Sequence, residues 1–391
     1  MAGALDGVRI LDLSWGIAGP LGVMLLAEQG ADVIKVEPPG GDPFRAYSGY
    51  AVWNRSRRSV TVDLKNPQGH EAMLRLIDDA DVLVETFRPG VTERLGIGYD
   101  AVHARNERLV YCSCPGYPEG HRFASRPGYD ALVQASSGQQ WEQPGWRMGP
   151  IFLHMPMPSM GSAFLIPAGI LSALVAREET GRGQHVTTSL FQGALLYSTQ
   201  VWQHVEKAPA AFHDLMGKSY PPGIHQQMLF EVANGEWVHA SVMSGLTPKK
   251  SQDELLGLED PPDPMTFLTM PAEEREKFTV RRREAYKHHD RDELVREFQE
   301  NNHAIEAVIT MEEALGATGH PHPQLVANDM VATVEDPELG TTTQIGVPIN
   351  LLGTPGGIQG PQPQPGEHNT EIFGLLGYRD AEIAAFSGEA D

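Results

Sequence analysis

Val8-Arg-Ile-Leu-Asp-Leu13, the turn Ala18-Gly19-Pro20, the run Leu21 to Gln29 with its stop at Gly30, and Ala31 to Glu37 decide the fold of this 391-residue chain. Two short β-like runs flank one helix-like run, and the second strand leaves through Pro38-Pro39-Gly40-Gly41-Asp42. The alternation then continues. Pro67 to Asp79 reads as a helix, and Asp81-Val-Leu-Val-Glu85 and Leu109-Val-Tyr-Cys-Ser113 read as further apolar strands. Strand and helix alternating through short loops predict an α/β chain with a doubly wound, mainly parallel, Rossmann-like large domain. In such sheets a ligand sits beyond the carboxyl ends of the strands, near a switch in strand order. The first turn carries Gly16 and Gly19 but no Gly-x-Gly-x-x-Gly, so the layout does not by itself imply a dinucleotide.

Composition narrows the partners. Hydrophobic content of 41% and charged content of 21% are those of a globular protein able to bury a large core. A formal net charge of -21 argues against nucleic acid or an anionic membrane, which need a basic face. The longest apolar run, Ala163 to Ala176, is interrupted by Pro167 and Ser172 and falls short of the ~20 residues of a membrane span. Met1 to Arg9 lacks the basic start and apolar stretch of a secretory signal. Cys112 and Cys114 are the only cysteines, and one such pair on a strand reads as packing rather than a disulfide or metal site. A cytoplasmic protein without a metal is the expectation.

Farther along, the character changes near Met228. Leu229 to Val242 reads as a β-hairpin around Asn234-Gly235, followed by a loop at Pro261-Pro262-Asp263-Pro264. Arg275 to Phe298 reads as a charged helix whose Arg281-Arg282-Arg283 is a solvated face. Strand signals return after Gly319, and Gly353 to Gln364 reads as an extended linker. The expected organisation is a large α/β domain over 1–200, a linker over 201–227, a small α+β domain over 228–318, and a return to the large domain over 319–391.

The stretch Gly169-Ile-Leu-Ser-Ala-Leu-Val-Ala-Arg177 through Gly181-Arg-Gly-Gln184 to Leu190 is an apolar helix, a glycine-punctuated turn and a strand or second helix entry. It resembles the hallmark of the family III CoA transferases, the group of formyl-CoA transferase, carnitine CoA transferase and methylacyl-CoA racemase. Asn54-Arg-Ser-Arg-Arg58 with Asp63-Leu-Lys65, Glu85-Thr-Phe-Arg-Pro-Gly90 with Arg94-Leu-Gly96, Arg126-Pro-Gly-Tyr-Asp130 with Gln134, Pro321-His-Pro-Gln-Leu325 and Gly366-Glu-His-Asn-Thr370 are similar to its other marks, in the same order. The resemblance implies transfer of coenzyme A between an acyl-CoA and a carboxylic acid. It also implies an interlocked homodimer with coenzyme A bound near the subunit interface. Ile17, Ala18, Pro38, Val62, Thr86, Phe87, Arg94 and Tyr129 match positions that contact coenzyme A in the family. Ile17, Pro38, Thr86 and Pro127 replace polar or charged types found in some members. Arg94 suits a phosphate and Phe87 an adenine face, while a surface helix charge and a core phenylalanine remain the plain readings.

One position breaks the pattern. The family's aspartate nucleophile falls where this chain has Ser159, within His154-Met-Pro-Met-Pro-Ser-Met-Gly161, and no Asp or Glu lies between Trp146 and Glu178. The family reaction needs a carboxylate, because the enzyme's own carbonyl must carry the sulfur, and a serine has none to offer. Racemase members instead place a histidine where this chain has Tyr129. Three readings stay open. Another carboxylate, Asp130 foremost, does the work; or His154, Ser159 or Asp130 moves protons in acyl-CoA isomerisation, racemisation, hydration or hydrolysis; or the chain binds acyl-CoA without catalysis. Met148, Met155, Met157 and Met160 suit either a bulky apolar acyl chain or core filling. Tyr220-Pro-Pro-Gly-Ile-His225 stands in the neighbourhood of the glycine-rich gating loop of oxalate-using members, which disfavours oxalate.

Overall fold

Six strands build one parallel sheet: β1 Arg9–Asp12, β2 Asp32–Glu37, β3 Arg58–Thr61, β4 Val82–Glu85, β5 Val110–Ser113 and β6 His185–Thr187. Their order across the sheet is β3-β2-β1-β4-β5-β6, so the direction of progression reverses between β1 and β4. This is the doubly wound order expected from the alternation in the sequence. The computed structural model describes residues 3–120, 122–142, 150–198, 228–241, 247–259, 266, 270–317, 319 and 321–388. The chain divides into two compact units, Met1–Gln140 with Phe152–Gln200 and Pro323–Asp391, and Trp141–Ile151 with Val201–His322.

Strands covered on both faces must be apolar throughout, and alternate residues feed opposite cores. Leu11, Ile34, Val60, Leu83 and Tyr111 meet the helix Pro67–Asp78 and the C-terminal helices Asn369–Leu375 and Asp380–Ser387 on one face. Ile10, Val33, Val82, Val84 and Val110 meet the helices Ala18–Ala27 and Met157–Thr180 on the other. Cys112 and Cys114 are unpaired and buried in this second core, as the packing reading requires.

The glycine-rich hallmark has a mechanical explanation. Arg177 is buried, pairs with Asp81 at 2.9 Å and donates to the Arg108 carbonyl at 3.1 Å. Gly181 caps the helix in the left-handed region, at φ 71°. A Cβ on Gly183 would collide with the Leu109 backbone, so only glycine lets the chain press there and lay β6 beside β5.

Several sequence expectations need correction. The helix Met157–Thr180 runs through Pro167 without interruption, because Ile166, Pro167, Ile170 and Ala173 are packed inside and tertiary contacts outweigh the lost hydrogen bond. By length and composition it is long and apolar enough to cross a membrane, though one side of it lies in the second core. Gly353 to Gln364 is no free linker: Gly357 N donates to the Glu28 carbonyl at 2.8 Å, Ser56 N to Gly360 at 3.0 Å and Arg45 Nη1 to Pro363 at 3.0 Å. Just before it, β10 Val331–Asp336 and β11 Gly340–Ile345 form a hairpin. Fully buried Arg55 ties that hairpin to the end of the helix Ala18–Ala27, pairing with its cap residue Glu28 and donating to the Ile345 carbonyl at 2.7 Å.

The second unit carries an antiparallel sheet of β7 Leu229–Glu231, β8 Trp237–Ser241 and β9 Ala304–Val308. Asn234 (φ 64°) and Gly235 (φ 75°) make the β7–β8 turn in the left-handed conformation that Asn-Gly favours. The single charged helix expected from Arg275 to Phe298 is two, Ala272–Tyr286 and Arg291–Glu300, because the Asp290 carboxylate accepts from Asp292 N and Glu293 N and starts a new helix. Arg282 is buried and forked onto Asp253 at 2.7 and 2.6 Å, so the middle of the arginine triplet is structural rather than solvated. Val242, Pro261 to Pro264, the 201–227 segment with Tyr220 to His225, and Met148 lie outside the described residues.

Candidate active site

The carboxyl ends of β1, β2 and β3 rest on a buried ionic platform. Asp12 ends β1, pairs with Arg57 at 2.5 Å and accepts from Ser14 N at 2.9 Å. Lys35 pairs with Asp42 at 3.0 Å and donates to the Ser14 carbonyl at 2.7 Å. Glu37 ends β2 and accepts from Arg45 Nη2 at 2.6 Å and Ser59 Oγ at 2.7 Å. Burial opposes ionisation of Glu37, but the hydrogen bond and charge of Arg45, with Lys35 and Ser59, more than offset it and hold the carboxyl below its ordinary range. These ions fix the loops leaving the strands.

Above the platform, at the β1/β4 switch, lies a cavity of about 920 Å³. Trp15 N donates to Thr86 Oγ1 at 2.8 Å, tying the two exit loops together, and the Phe87 ring meets the Trp15 ring edge to face at 5.2 Å. Of the residues singled out in the sequence, Ile17, Ala18, Pro38, Val62, Thr86, Phe87, Pro127, Tyr129, Asp130 and Ser159 line this one cavity. Arg94 and His154 do not line it, and both are exposed. Met155, Met157 and Met160 are likewise absent from its wall.

Asp130 and Ser159, distant in sequence, are joined directly. Ser159 N donates to Asp130 Oδ1 at 2.8 Å, and Ser159 Oγ donates to Asp130 Oδ2 at 2.7 Å. Two glycine contacts bring them together. A Cβ on Gly116, just past β5, would collide with Gly128, and the reverse holds, so this close backbone approach delivers Tyr129 and Asp130 to the strand exit. A Cβ on Gly161 would collide with Gly193, so the helix Met157–Thr180 crosses the helix Leu190–Ser198 backbone to backbone and fixes its own first turn. Ser159 sits in that first turn, 3% exposed, where free N–H groups and the helix dipole favour a carboxylate. Gln134, one turn after Asp130, donates to the Met155 carbonyl at 3.0 Å and braces the loop entering the same helix.

Comparison with known proteins supplies the context. The model of CoA-transferase family III matches residues 5–369. The chain belongs to that family. This family III chain is 28% identical, over 97% of its length and 96% of the relative's, to succinyl-CoA–D-citramalate CoA-transferase of Chloroflexus aurantiacus. It is 30% identical, over 98% of both chains, to formyl-CoA:oxalate CoA-transferase of Streptomyces avermitilis. Among solved structures, a CAIB/BAIF family protein of Brucella suis matches with TM-score 0.80 and 26% identity, over 96% of this chain and all of that one. Rv3272 of Mycobacterium tuberculosis matches with TM-score 0.77 and 28% identity, over 95% and 99%. The α/β fold with its six-stranded parallel sheet is the fold of these family structures.

The family III chain also has cavity residues that the sequence reading passed over. Lys65 and Arg88 lie at the rim, exposed, with side chains that pair with no carboxylate among the described residues. Phe44 and Tyr47 supply further aromatic wall. Lys65 and Arg88 stand inside motifs quoted for the resemblance, so position gave the signal that residue type alone did not.

Glu85 lies beneath the wall, 5% exposed, with its carboxylate accepting from Phe87 N at 2.7 Å. Burial pushes its pKa from 4.5 up to about 7, against the opposing hydrogen bonds of Ser113 and Phe87 N. A folded pKa above the unfolded value means that Glu85 favours folding below pH 4.5 and loses that contribution as pH rises through 7. The Glu85→Gln variant keeps an acceptor for Phe87 N and carries no such charge. Relative to wild type it is expected to gain about 3 kcal/mol of stability between pH 4.5 and pH 8. Urea unfolding at both pH values reads this directly; equal gaps at the two would refute it.

Proposed function

We propose that this chain transfers coenzyme A between an acyl-CoA and a carboxylic acid, with the Asp130 carboxylate as nucleophile and Ser159 as its clamp. The observation that carries the reading is the double hydrogen bond from Ser159 to Asp130 at the edge of the cavity. A serine alone at position 159 cannot carry the sulfur, whereas an aspartate held at the same helix start can. The names of the relatives, CoA-transferases for formyl-CoA with oxalate and succinyl-CoA with D-citramalate, support the reaction class.

An Asp130 oxygen attacks the thioester carbonyl, and the C–S bond breaks to give an acyl-aspartyl anhydride and CoA thiolate. Thiolate then attacks the aspartyl carbonyl, forming an enzyme-CoA thioester and releasing the first acid. The incoming carboxylate attacks that thioester, forming a new anhydride and thiolate. Thiolate finally takes the new acyl group and frees Asp130. Each attack on the aspartyl carbonyl places negative charge on its oxygen, which the Ser159 N–H and hydroxyl are positioned to receive.

Coenzyme A is the substrate carrier here, its adenine end toward Phe87 and its phosphates toward Lys65 and Arg88. Replacing both cations by alanine is expected to raise KM for acyl-CoA by about tenfold or more with kcat nearly unchanged. Steady-state kinetics checks this; a fall in kcat at constant KM would remove the two side chains from coenzyme binding. The exposed stripe Phe164, Leu171 and Val175 on the long helix fits burial against a second copy in a homodimer. Two unpaired thiols fit a reducing cytoplasm.

The test of the main reading is covalent. Incubation with acyl-CoA followed by hydroxylamine converts an aspartyl thioester or anhydride to a hydroxamate, which peptide mass spectrometry locates. Modification at Asp130 is the expected result. Turnover with modification at another carboxylate would overturn the assignment, and solvent deuterium entering the α-carbon without an acceptor acid would point to proton-transfer chemistry instead.

A further inference from the structure

Resting on the Asp130 reading, the surroundings of that carboxylate define the kind of acid it accepts. The walls next to it are documented in sequence and space. Gly128 and Tyr129 precede Asp130, Gly128 presses on Gly116, and Leu190 N donates to the Pro115 carbonyl at 3.0 Å. Gly116, Cys114, Leu190, Gly128 and Tyr129 all face the same cavity as Asp130 and Ser159. Cys114 and Leu190 are buried in the second core, and the Cys114 thiol is pushed up to about 12 by burial, which keeps it neutral. Among the described residues, this end of the cavity is therefore carbon, neutral sulfur and backbone around the Asp130 carboxylate and the Ser159 hydroxyl.

Among the described residues, the cations lining the cavity are Lys65 and Arg88, which the coenzyme A reading assigns to phosphates. Lys65 follows β3, four strands from β5, a separation of roughly 19 Å at strand exits. Arg88 leaves β4, one strand from β5, directly after Phe87, whose ring packs against the first core on the opposite face of the sheet from Cys114. A substrate carrying a second carboxylate would set that charge against Asp130 itself, in a partly desolvated wall where like charges repel strongly.

We infer that Asp130 serves apolar monocarboxylic acyl groups and acceptors rather than dicarboxylic ones. An aliphatic chain lies along Leu190 and the Tyr129 ring. The tolerated class is thus unlike the oxalate and D-citramalate in the names of the two relatives above.

Two stable thioether analogues that differ by one carboxylate, S-butyl-CoA and S-(carboxypropyl)-CoA, test this by calorimetric binding to the full chain. S-butyl-CoA is expected to bind about tenfold tighter or more. The Tyr129→Lys variant, altered at a side chain 62% exposed, is expected to bring the two affinities to near equality by placing a cation beside Asp130. Equal or tighter binding of the charged analogue to wild type would overturn the inference alone. An unchanged preference in Tyr129→Lys would overturn the placement of the acyl chain at this wall. Binding of neither analogue would overturn the coenzyme A reading, and this inference with it.

Discussion

Replacing Asp130 by asparagine is expected to lower kcat for CoA transfer by about a thousandfold or more, with acyl-CoA binding retained. The amide preserves the shape and still accepts one hydrogen bond from Ser159, so the fold and the cavity should survive. What it loses is the attacking oxygen anion and the leaving-group chemistry of an anhydride. The companion change, Ser159→Ala, removes the hydroxyl bond but keeps the backbone donor, and should cost less, about tenfold to a hundredfold in kcat. The ranking matters more than either value. If Asp130→Asn retained full exchange between acyl-CoA and free acid, the carboxylate would be a strut for Ser159 and the proposed chemistry would be wrong.

The second large effect concerns stability. Arg57 and Asp12 are both fully or nearly fully buried, and Arg57 also donates to the carbonyls of Pro20 at 2.9 Å and Trp53 at 2.6 Å. Arg57→Met should destabilise the first unit by about 3–5 kcal/mol, because it strands the Asp12 charge in the interior. That is a large fraction of the roughly 5–15 kcal/mol that holds a typical domain together. Adding Asp12→Leu removes the stranded charge and should restore part of the loss, leaving the cost of the unsatisfied carbonyls. Thermal or urea unfolding of the single and double variants measures both. A double variant less stable than Arg57→Met would show that Asp12 does not depend on Arg57.

Much of the fold was legible because its strands are short continuous apolar runs separated by glycine and proline turns. Val82, Leu83 and Val84 are wholly buried, as a run without alternation implies for a sheet covered on both sides. Misreadings arose where long-range packing outvotes local signal. Pro167 looks like a helix breaker until its neighbours are seen to be core, and Gly353 to Gln364 looks like a tether until its carbonyls are seen to be bonded. The charged helix was split by a single cap, Asp290, that a run of charges conceals. Within the site, the pairing of Asp130 with Ser159 spans 29 residues and depends on two glycine–glycine contacts that no periodicity reveals. Sequence could name the two residues as candidates; it could not put them in one another's reach.

The lock between Arg55 and the hairpin of β10 and β11 has a consequence for biosynthesis. Phe373 and Phe386 complete the hydrophobic layer beneath β1 to β4, and Gln344, Ile345 and Gly346 satisfy a guanidinium near the amino terminus. A nascent polypeptide emerging from the ribosome therefore leaves one face of the sheet uncovered until residues beyond 340 arrive. Covering of the first unit's core therefore waits for the segment beyond 340, and shielding by a chaperone during that interval has a direct structural motive.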